Sequence, residues 1–256
     1  MHGPGGRRAR TRLRRHSDHH EHHGDGRGRD AVAAFAQGLW LTLFAAPVFL
    51  LLVPACWGIV DLAGHAPAVR AAERAYLLVY APGSVFTVLN VVLGGVITGQ
   101  GRTRLVSVAT ALGCLANLAF DPLFIFGWGP VPALGITGAA VASVLAQATT
   151  SVLLAIAVAR DGLVRSVRGT GAFRPDRVRM LGLIRFGVPA GVSASTSCIA
   201  FTLFTLVVAK LDGLSSAASN TVFAVNNIFY LALCATSEGV RILAGRYHGA
   251  GDDESA

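Results

Sequence analysis

Asp121 is the residue whose type and position most clearly predict chemistry. It lies 16 residues into the apolar stretch 105–127, and Asn117 precedes it by four residues. Residues four apart share one face of an α-helix, so an amide oxygen and a carboxylate converge there. Oxygen ligands suit a hard cation, and an ionisable side chain inside a membrane helix is costly enough to indicate a function. The alternative interpretation is that Asp121 and Pro122 mark a helix end near the lipid headgroups.

Other polar side chains interrupt the apolar stretches. They are Asn90, Ser143, Gln147, the hydroxyl-bearing residues at 193, 195–197, 202 and 205, and an asparagine pair at 226–227. Ser and Thr in such helices usually bond to carbonyls of their own helix, which predicts a structural role for most of them. Glu238 and Arg241 lie three residues apart and predict a local ion pair, with a gating role as the alternative.

Six apolar stretches must position these residues. The chain has 256 residues, of which 53% are apolar and 14% charged, whereas a soluble domain has ~25% charged residues. A membrane-spanning helix needs about 20 mostly apolar residues. The stretches of that length are 38–60, 75–98, 105–127, 134–159, 181–211 and 217–244. The predicted fold class is therefore an all-α polytopic membrane protein with six transmembrane helices, the last of them interrupted.

The basic residues favour one side of the membrane. The formal net charge is +8, from 22 basic and 14 acidic residues. With alternating spans and a cytoplasmic N-terminus, 19 basic residues fall on the cytoplasmic side and three, Arg70, Arg74 and Lys210, on the other. This asymmetry predicts a multi-pass plasma membrane protein with both termini in the cytoplasm. Because no basic stripe lies on a polar surface, the lipid bilayer is the expected partner and nucleic acid is not.

The sequence lacks the motifs of several enzyme classes. It contains no Gly-x-x-x-x-Gly-Lys-Ser/Thr phosphate loop, no His-Glu-x-x-His pair and no arrangement typical of a Ser/His/Asp triad. The four cysteines lie in spans without Cys-x-x-Cys spacing, which predicts small buried apolar residues. We therefore expect no enzyme activity and no cofactor, and an ion gradient would have to drive any transport.

Composition divides the chain into four segments. Residues 1–25 form an Arg- and His-rich tail for which we expect disorder, with metal binding by its histidines as the less favoured alternative. Residues 26–159 carry four spans, residues 160–180 form a polar, Arg-rich linker, and residues 181–256 carry two spans. The linker is expected to be a solvated cytoplasmic loop, and contact with lipid headgroups is the alternative.

Four motifs lie in or beside the spans. They are GQGRTR at 99–104, ANLAFDPLFIFG at 116–127, LGITGAAVAS at 134–143 and FGVPA at 186–190. Together they resemble the multidrug and toxic compound extrusion (MATE) family, with a likeness that extends over about residues 27–254. The Asn-x-x-x-Asp-Pro form is most similar to the DinF-type branch of that family.

The resemblance implies a twelve-helix antiporter with two six-helix lobes around a central cavity. Such a protein exports small amphiphilic cationic compounds in exchange for Na⁺ or H⁺, and no oligomer is implied. Matched by motif, Asn117 and Asp121 correspond to the amide and carboxylate of the family's cation site, and Ser143 supplies a hydroxyl where the family has Thr. The spans correspond to the family's helices three to eight, so the chain is expected to be a fragment without the first helix and its acidic ligand.

Two other functions stay open beside secondary active multidrug efflux in the cell inner membrane. A lipid-linked saccharide flippase of the same superfamily would line its cavity with basic residues, of which the spans contain few. The other possibility is a membrane fragment that does not transport, because the cation site lacks the ligand of the missing first helix.

Overall fold

The structure is a computed structural model of the chain. It describes the backbone of residues 5–62, 66–162, 165, 173–209 and 213–250. Side chains are described over residues 32–61, 66–162, 165, 173–205, 207–208, 217–245 and 247. The described helices are α1 (Gly5–Leu62), α2 (Pro67–Gly83), α3 (Val85–Gly99), α4 (Thr103–Phe126), α5 (Ile136–Ala159), α6 (Arg177–Ala209) and α7 (Gly213–Ala250).

Six helical stretches in the described residues are long and apolar enough to cross a membrane. They are Val32–Asp61, Pro67–Gly99, Thr103–Phe126, Ile136–Ala159, Arg177–Thr205 and Ala217–Gly245. Every predicted span therefore has a helical counterpart, and the all-α membrane fold is confirmed. Large apolar side chains cover much of the outer surface, as expected of helices that face lipid.

Two details differ from the expected spans. The second span consists of α2 and α3, which meet at Ser84 directly after Pro82 and Gly83. Proline cannot donate the helical hydrogen bond and commonly kinks a helix. The expected interruption of the last span is wrong, since α7 is continuous. Hydroxyl groups there donate to the carbonyl four residues back, as Thr236 does to Ala232 at 3.0 Å, and so leave the helix intact.

The predicted tail, residues 1–25, falls on the beginning of α1. The helix begins at Gly5, so its backbone includes most of this segment. The side chains of residues 1–31, including the histidines of the tail, lie outside the described residues. Metal binding by those histidines is therefore still only an alternative from the sequence.

The chain divides into two compact units, Met1–Asp176 and Arg177–Ala256. In the first unit α5 packs against α2, α3 and α4, and α1 packs against α2 and α3. The core cluster consists of Val32, Phe35, Leu93, Ile97, Ala109, Leu154 and Val158. Helix α5 therefore packs against every other described helix of the first unit except α1.

Glycines let α4 and α5 approach closely at two points. A Cβ atom on Gly113 would lie 2.0 Å from the Thr150 hydroxyl oxygen and 3.3 Å from the Ala146 carbonyl oxygen. A Cβ atom on Gly138 would lie 2.2 Å from the Phe124 carbonyl oxygen. No side chain fits at these distances, so the two glycines fix the antiparallel register of α4 on α5.

The end of the predicted linker belongs to the first unit. Phe173 packs against the core cluster and meets the Phe35 ring edge-on at 6.5 Å between centroids. The buried Gln37 amide donates to the Arg174 carbonyl at 2.9 Å and accepts from the Asp176 backbone N–H at 2.9 Å. Trp40 Nε1 donates to the Phe173 carbonyl at 3.0 Å. The expectation of a wholly solvated loop is therefore wrong for residues 173–176, because α1 satisfies their backbone groups.

The second unit contains α6 and α7. Phe223 meets Phe201 and Phe204 edge-on, with ring centroids 5.1 and 5.6 Å apart. Most of its described side chains are exposed, and so are Cys198 and Cys234. In the first unit Cys114 is also exposed, so the expectation of buried cysteines is wrong for three of the four.

Candidate cation site in the first unit

The three predicted site residues lie at one level of the first unit. Asn117 and Asp121 are on α4. In the sequence they lie between Gly113 and Phe124, the two residues at which α4 closely approaches α5. Ser143 is on α5, between the partners of those two contacts, Gly138 and Ala146. Because the helices run antiparallel between these fixed points, the amide, the carboxylate and the hydroxyl are brought to the same stretch of the α4–α5 packing.

Asn117 holds an unused donor in this packing. Its Nδ2 atom is buried and has no hydrogen-bond partner among the described residues. A buried amide donor without an acceptor costs about 1–3 kcal/mol. Packing therefore holds the side chain in place. The Nδ2 group can only donate, so only the Oδ1 atom of this amide could ligate a cation. Asp121 and Ser143 are half-buried, so they are partly removed from water and still reachable.

Tyr76 on α2 joins this group. Its hydroxyl end lies near the Ser143 side chain and is close enough to Asp121 for an electrostatic interaction. The ring stacks on Tyr80, with centroids 5.4 Å apart. Sequence reasoning missed Tyr76 because a tyrosine near a span end usually anchors the helix at the membrane interface. The Tyr76–Tyr80 spacing of four residues, at the same end of the first unit as Asp121, is the signal that could have found it.

A second polar group lies further along α5. Asn90 Nδ2 donates to the Gln147 Oε1 atom at 2.8 Å and to the Gln147 carbonyl at 3.2 Å. The Ser151 hydroxyl donates to Asn90 Oδ1 at 2.7 Å. Ser143, Gln147 and Ser151 are four residues apart and share one face of α5. This face is therefore polar along two helical turns and points toward α2 and α3.

The polar residues of the second unit behave differently. The Thr196, Ser197, Thr202 and Thr205 hydroxyls each donate to a carbonyl four residues back in α6. The predicted structural role of these hydroxyls is confirmed. Arg241 donates to Glu238 at 2.6 Å on the exposed surface of α7, and the predicted local ion pair is confirmed as well. Across the described residues, no group of three His, Cys, Asp or Glu side chains is placed to hold a metal ion.

Sequence comparison identifies the family of the chain. The MatE family model matches residues 21–123. Over 232 residues the chain is 31% identical to the probable multidrug resistance protein NorM of Deinococcus radiodurans, and the match covers 90% of this chain and 50% of that relative. The chain belongs to the MATE family. It spans about half the length of the curated relatives it matches.

Two solved structures share the MATE fold with this chain. The crystal structure of MATE in the bent conformation is 22% identical, with a TM-score of 0.71 over 91% of this chain and 55% of that one. An inward-facing multidrug resistance MATE family transporter of the MOP superfamily is 23% identical, with a TM-score of 0.61 over 88% and 59%. At this level of identity the likeness shows the fold, which is that of a multi-pass membrane protein.

MATE relatives differ in their described roles. A relative in Shewanella oneidensis is described as a FAD transporter; it is 27% identical over 185 residues, which are 71% of this chain and 40% of the relative. The NorM relatives are described as multidrug resistance proteins. The DinF-type branch stays a prediction from the Asn-x-x-x-Asp-Pro motif.

Proposed function

We propose that this MATE chain acts in secondary active multidrug efflux, in exchange for Na⁺ or H⁺. The observation that carries the proposal is that Asn117, Asp121 and Ser143 lie at one level of the α4–α5 packing, with Tyr76 of α2 nearby. The names of the NorM relatives support multidrug efflux rather than enzyme activity. Small amphiphilic cations are the proposed substrates.

Asp121 is the proposed exchange group. A carboxylate surrounded by neutral oxygen atoms binds either a proton or a small hard cation, and the two compete for the same oxygens. Asn117 and Ser143, at the same level of the α4–α5 packing, would supply an amide oxygen and a hydroxyl oxygen to the cation. Tyr76 of α2 lies near both Ser143 and Asp121, so a change of charge at Asp121 would act on side chains of three helices. Cation exchange would be coupled to substrate transport because these helices pack differently around a neutral and a charged Asp121.

Charge at the helix ends supports the proposed orientation. One end of the first unit carries Asp61, Arg70, Glu73 and Arg74, whose formal charges cancel, and Asp121 lies toward the same end. Asp61 pairs with Arg74 and approaches Arg70 Nε at 3.9 Å. The opposite end carries an excess of arginine. Following the positive-inside rule, we propose that the arginine end and both termini face the cytoplasm of a plasma or inner membrane.

The multidrug proposal is favoured over a lipid-linked saccharide flippase. A flippase needs cationic side chains deep in its cavity to hold pyrophosphate. In the described spans of the first unit, the arginines are Arg70, Arg74 and Arg104, all within the first eight residues of a helix. The interior polar groups of these spans are instead amides, hydroxyls and the Asp121 carboxylate.

The experiment is gradient-driven transport of ethidium by the full chain in proteoliposomes. We expect transport to respond to an imposed Na⁺ or pH gradient, and Asp121→Asn to abolish that response because the variant cannot exchange charge. Glu238→Gln is the matched control, since it neutralises an exposed carboxylate in a span of the second unit. Gradient-driven transport that survives Asp121→Asn would refute the site, and its absence from the unaltered chain would refute efflux by this chain.

A further inference from the structure

An ion pair joins two turns at the arginine end of the first unit. Arg102 Nη1 lies 3.1 Å from the Asp161 carboxylate, and the Asp161 side chain is only 10% exposed. Arg102 follows the tight turn after α3, where Gly101 has a φ of 77° and the Arg102 N–H donates to the Ile97 carbonyl. Asp161 follows the end of α5. The pair therefore ties the α3–α4 turn to the C-terminal end of α5.

Four more arginines lie around this ion pair. Arg104 is in the first turn of α4, and Arg160 directly precedes Asp161. The Arg165 N–H donates to the Asp161 carbonyl at 3.1 Å, so Arg165 is one helical turn away. The backbone carbonyl of Arg174 accepts a hydrogen bond from Gln37, and the adjacent Phe173 packs on the core cluster, which includes Leu154 and Val158 of α5. We call this group the arginine rim: Arg102, Arg104, Arg160, Arg165 and Arg174, all exposed.

The arginine rim lies at the level of the lipid headgroups. The spans Pro67–Gly99, Thr103–Phe126 and Ile136–Ala159 each end or begin within four residues of Arg102 or Asp161. Trp40, whose indole N–H bonds to the Phe173 carbonyl, is the kind of residue that marks a membrane interface. Among the residues whose side chains are described, five arginines against Asp161 and Asp176 leave a formal charge of +3 at this end. At the other end Asp61, Arg70, Glu73 and Arg74 cancel, and Asp121 lies toward that end.

We propose that the arginine rim is a binding site for the headgroup of an anionic phospholipid. Guanidinium groups bind phosphate oxygens with two parallel hydrogen bonds, and arginines beside a membrane attract anionic lipid. The positive-inside rule requires only that the charges lie on one side of the membrane. Here a nearly buried carboxylate and a buried amide hold the turns that carry the arginines in fixed places, which is the property of a site.

Trp40 can report on lipid binding in the full chain. We would reconstitute a Trp57→Phe, Trp128→Phe background in phosphatidylcholine vesicles and add brominated phosphatidylglycerol, which quenches nearby indole fluorescence. We expect quenching of Trp40 at lower mole fractions of brominated phosphatidylglycerol than of brominated phosphatidylcholine. Equal quenching by the two lipids would overturn the proposal, and competition by millimolar inorganic phosphate alone would indicate a free-phosphate site instead.

Variants distinguish the arginine rim from other arginines near the membrane. Arg104→Gln with Arg160→Gln should weaken phosphatidylglycerol binding about tenfold or more, since each arginine near an anionic surface contributes substantially. Arg104→Lys with Arg160→Lys should show a smaller loss of phosphatidylglycerol binding. Lysine keeps the positive charge but cannot form two parallel hydrogen bonds to one phosphate group. The matched control is Arg177→Gln with Arg185→Gln, in the second unit. An equal loss in the control would overturn the proposal.

Asp161→Asn provides the sharpest test. The substitution raises the net charge of the rim, so attraction by charge alone predicts stronger binding of phosphatidylglycerol. Our proposal predicts weaker binding, because Arg102 loses the partner that holds the α3–α4 turn against α5. Stronger binding would therefore overturn it. The circular dichroism spectrum and the thermal transition of each variant establish that it is folded, and Arg104→Lys with Arg160→Lys leaves the ion pair untouched.

Discussion

The two units use similar amino acids with different results. Both are apolar helices that contain Ser, Thr and Asn side chains. In the first unit Asn90, Gln147 and Ser151 bond between helices, and in the second the hydroxyls of α6 bond back to their own helix. The difference arises because α5 has close neighbours on several sides, whereas the described side chains of α6 and α7 are mostly exposed. Helix packing, rather than residue type, decides which polar residues can build a site.

Gly138→Ala tests whether the first unit depends on close helix packing, and it should have the largest effect on thermal stability. The added Cβ would lie 2.2 Å from the Phe124 backbone carbonyl, which cannot move without shifting α4. Overpacking of this kind costs about 1–3 kcal/mol. Gly191→Ala on α6 is the control, since nothing lies within 4 Å of its added Cβ. Thermal unfolding in detergent should show a lower midpoint for the first variant alone; equal midpoints would contradict the α4–α5 register.

Asn90→Leu tests the bonds between helices and should have an intermediate effect. It removes the hydrogen bonds to Gln147 and Ser151, which in a membrane interior contribute about 1 kcal/mol. Thr202→Val in α6 removes only a bond within one helix, and we expect a change below about 0.5 kcal/mol. A double-mutant cycle of Asn90→Leu with Ser151→Ala, followed by thermal unfolding, measures the coupling. Additive effects would show that the two side chains do not interact.

Tyr76→Phe should have the smallest effect and sharpens the comparison at the site itself. The substitution keeps the stacked ring and removes the hydroxyl that lies near Ser143. We expect the concentration of driving cation at half-maximal ethidium transport to rise about threefold, equivalent to ~0.7 kcal/mol. Tyr80→Phe is the matched control, one helical turn away on α2. If Tyr76→Phe and Tyr80→Phe change the half-maximal cation concentration equally, the Tyr76 hydroxyl does not contribute specifically to the site.

The sequence predicted the spans and part of the site for identifiable reasons. Long apolar stretches have few structural options in a membrane, so all six helical spans were predicted, and the Asn117–Asp121 spacing placed both side chains on one helix face. Contacts between helices could not be predicted from the sequence. Tyr76 lies near Ser143, and Gln37 donates to the Arg174 carbonyl, only because the fold brings together residues 67 and 137 positions apart in the chain.

Predictions from local pattern were wrong where a tertiary contact or its absence decided the outcome. Residues 173–176 were expected to be solvated because they are polar and flank Pro175, yet Gln37 and Trp40 satisfy their carbonyl and N–H groups. Cys114 was expected to be buried because it lies in an apolar span, and it is exposed, whereas the neighbouring Gly113 is the residue that packs on α5.

The central claim is that Asp121 is the cation-exchanging group of the first unit. Thermal stability of the full chain as a function of Na⁺ concentration and of pH tests it most directly, because a ligand that binds only the folded protein stabilises it. We predict that at least one of these two dependences is reduced in Asp121→Asn and unchanged in Glu238→Gln. If Asp121→Asn responds to both Na⁺ and pH as the unaltered chain does, the claim is contradicted.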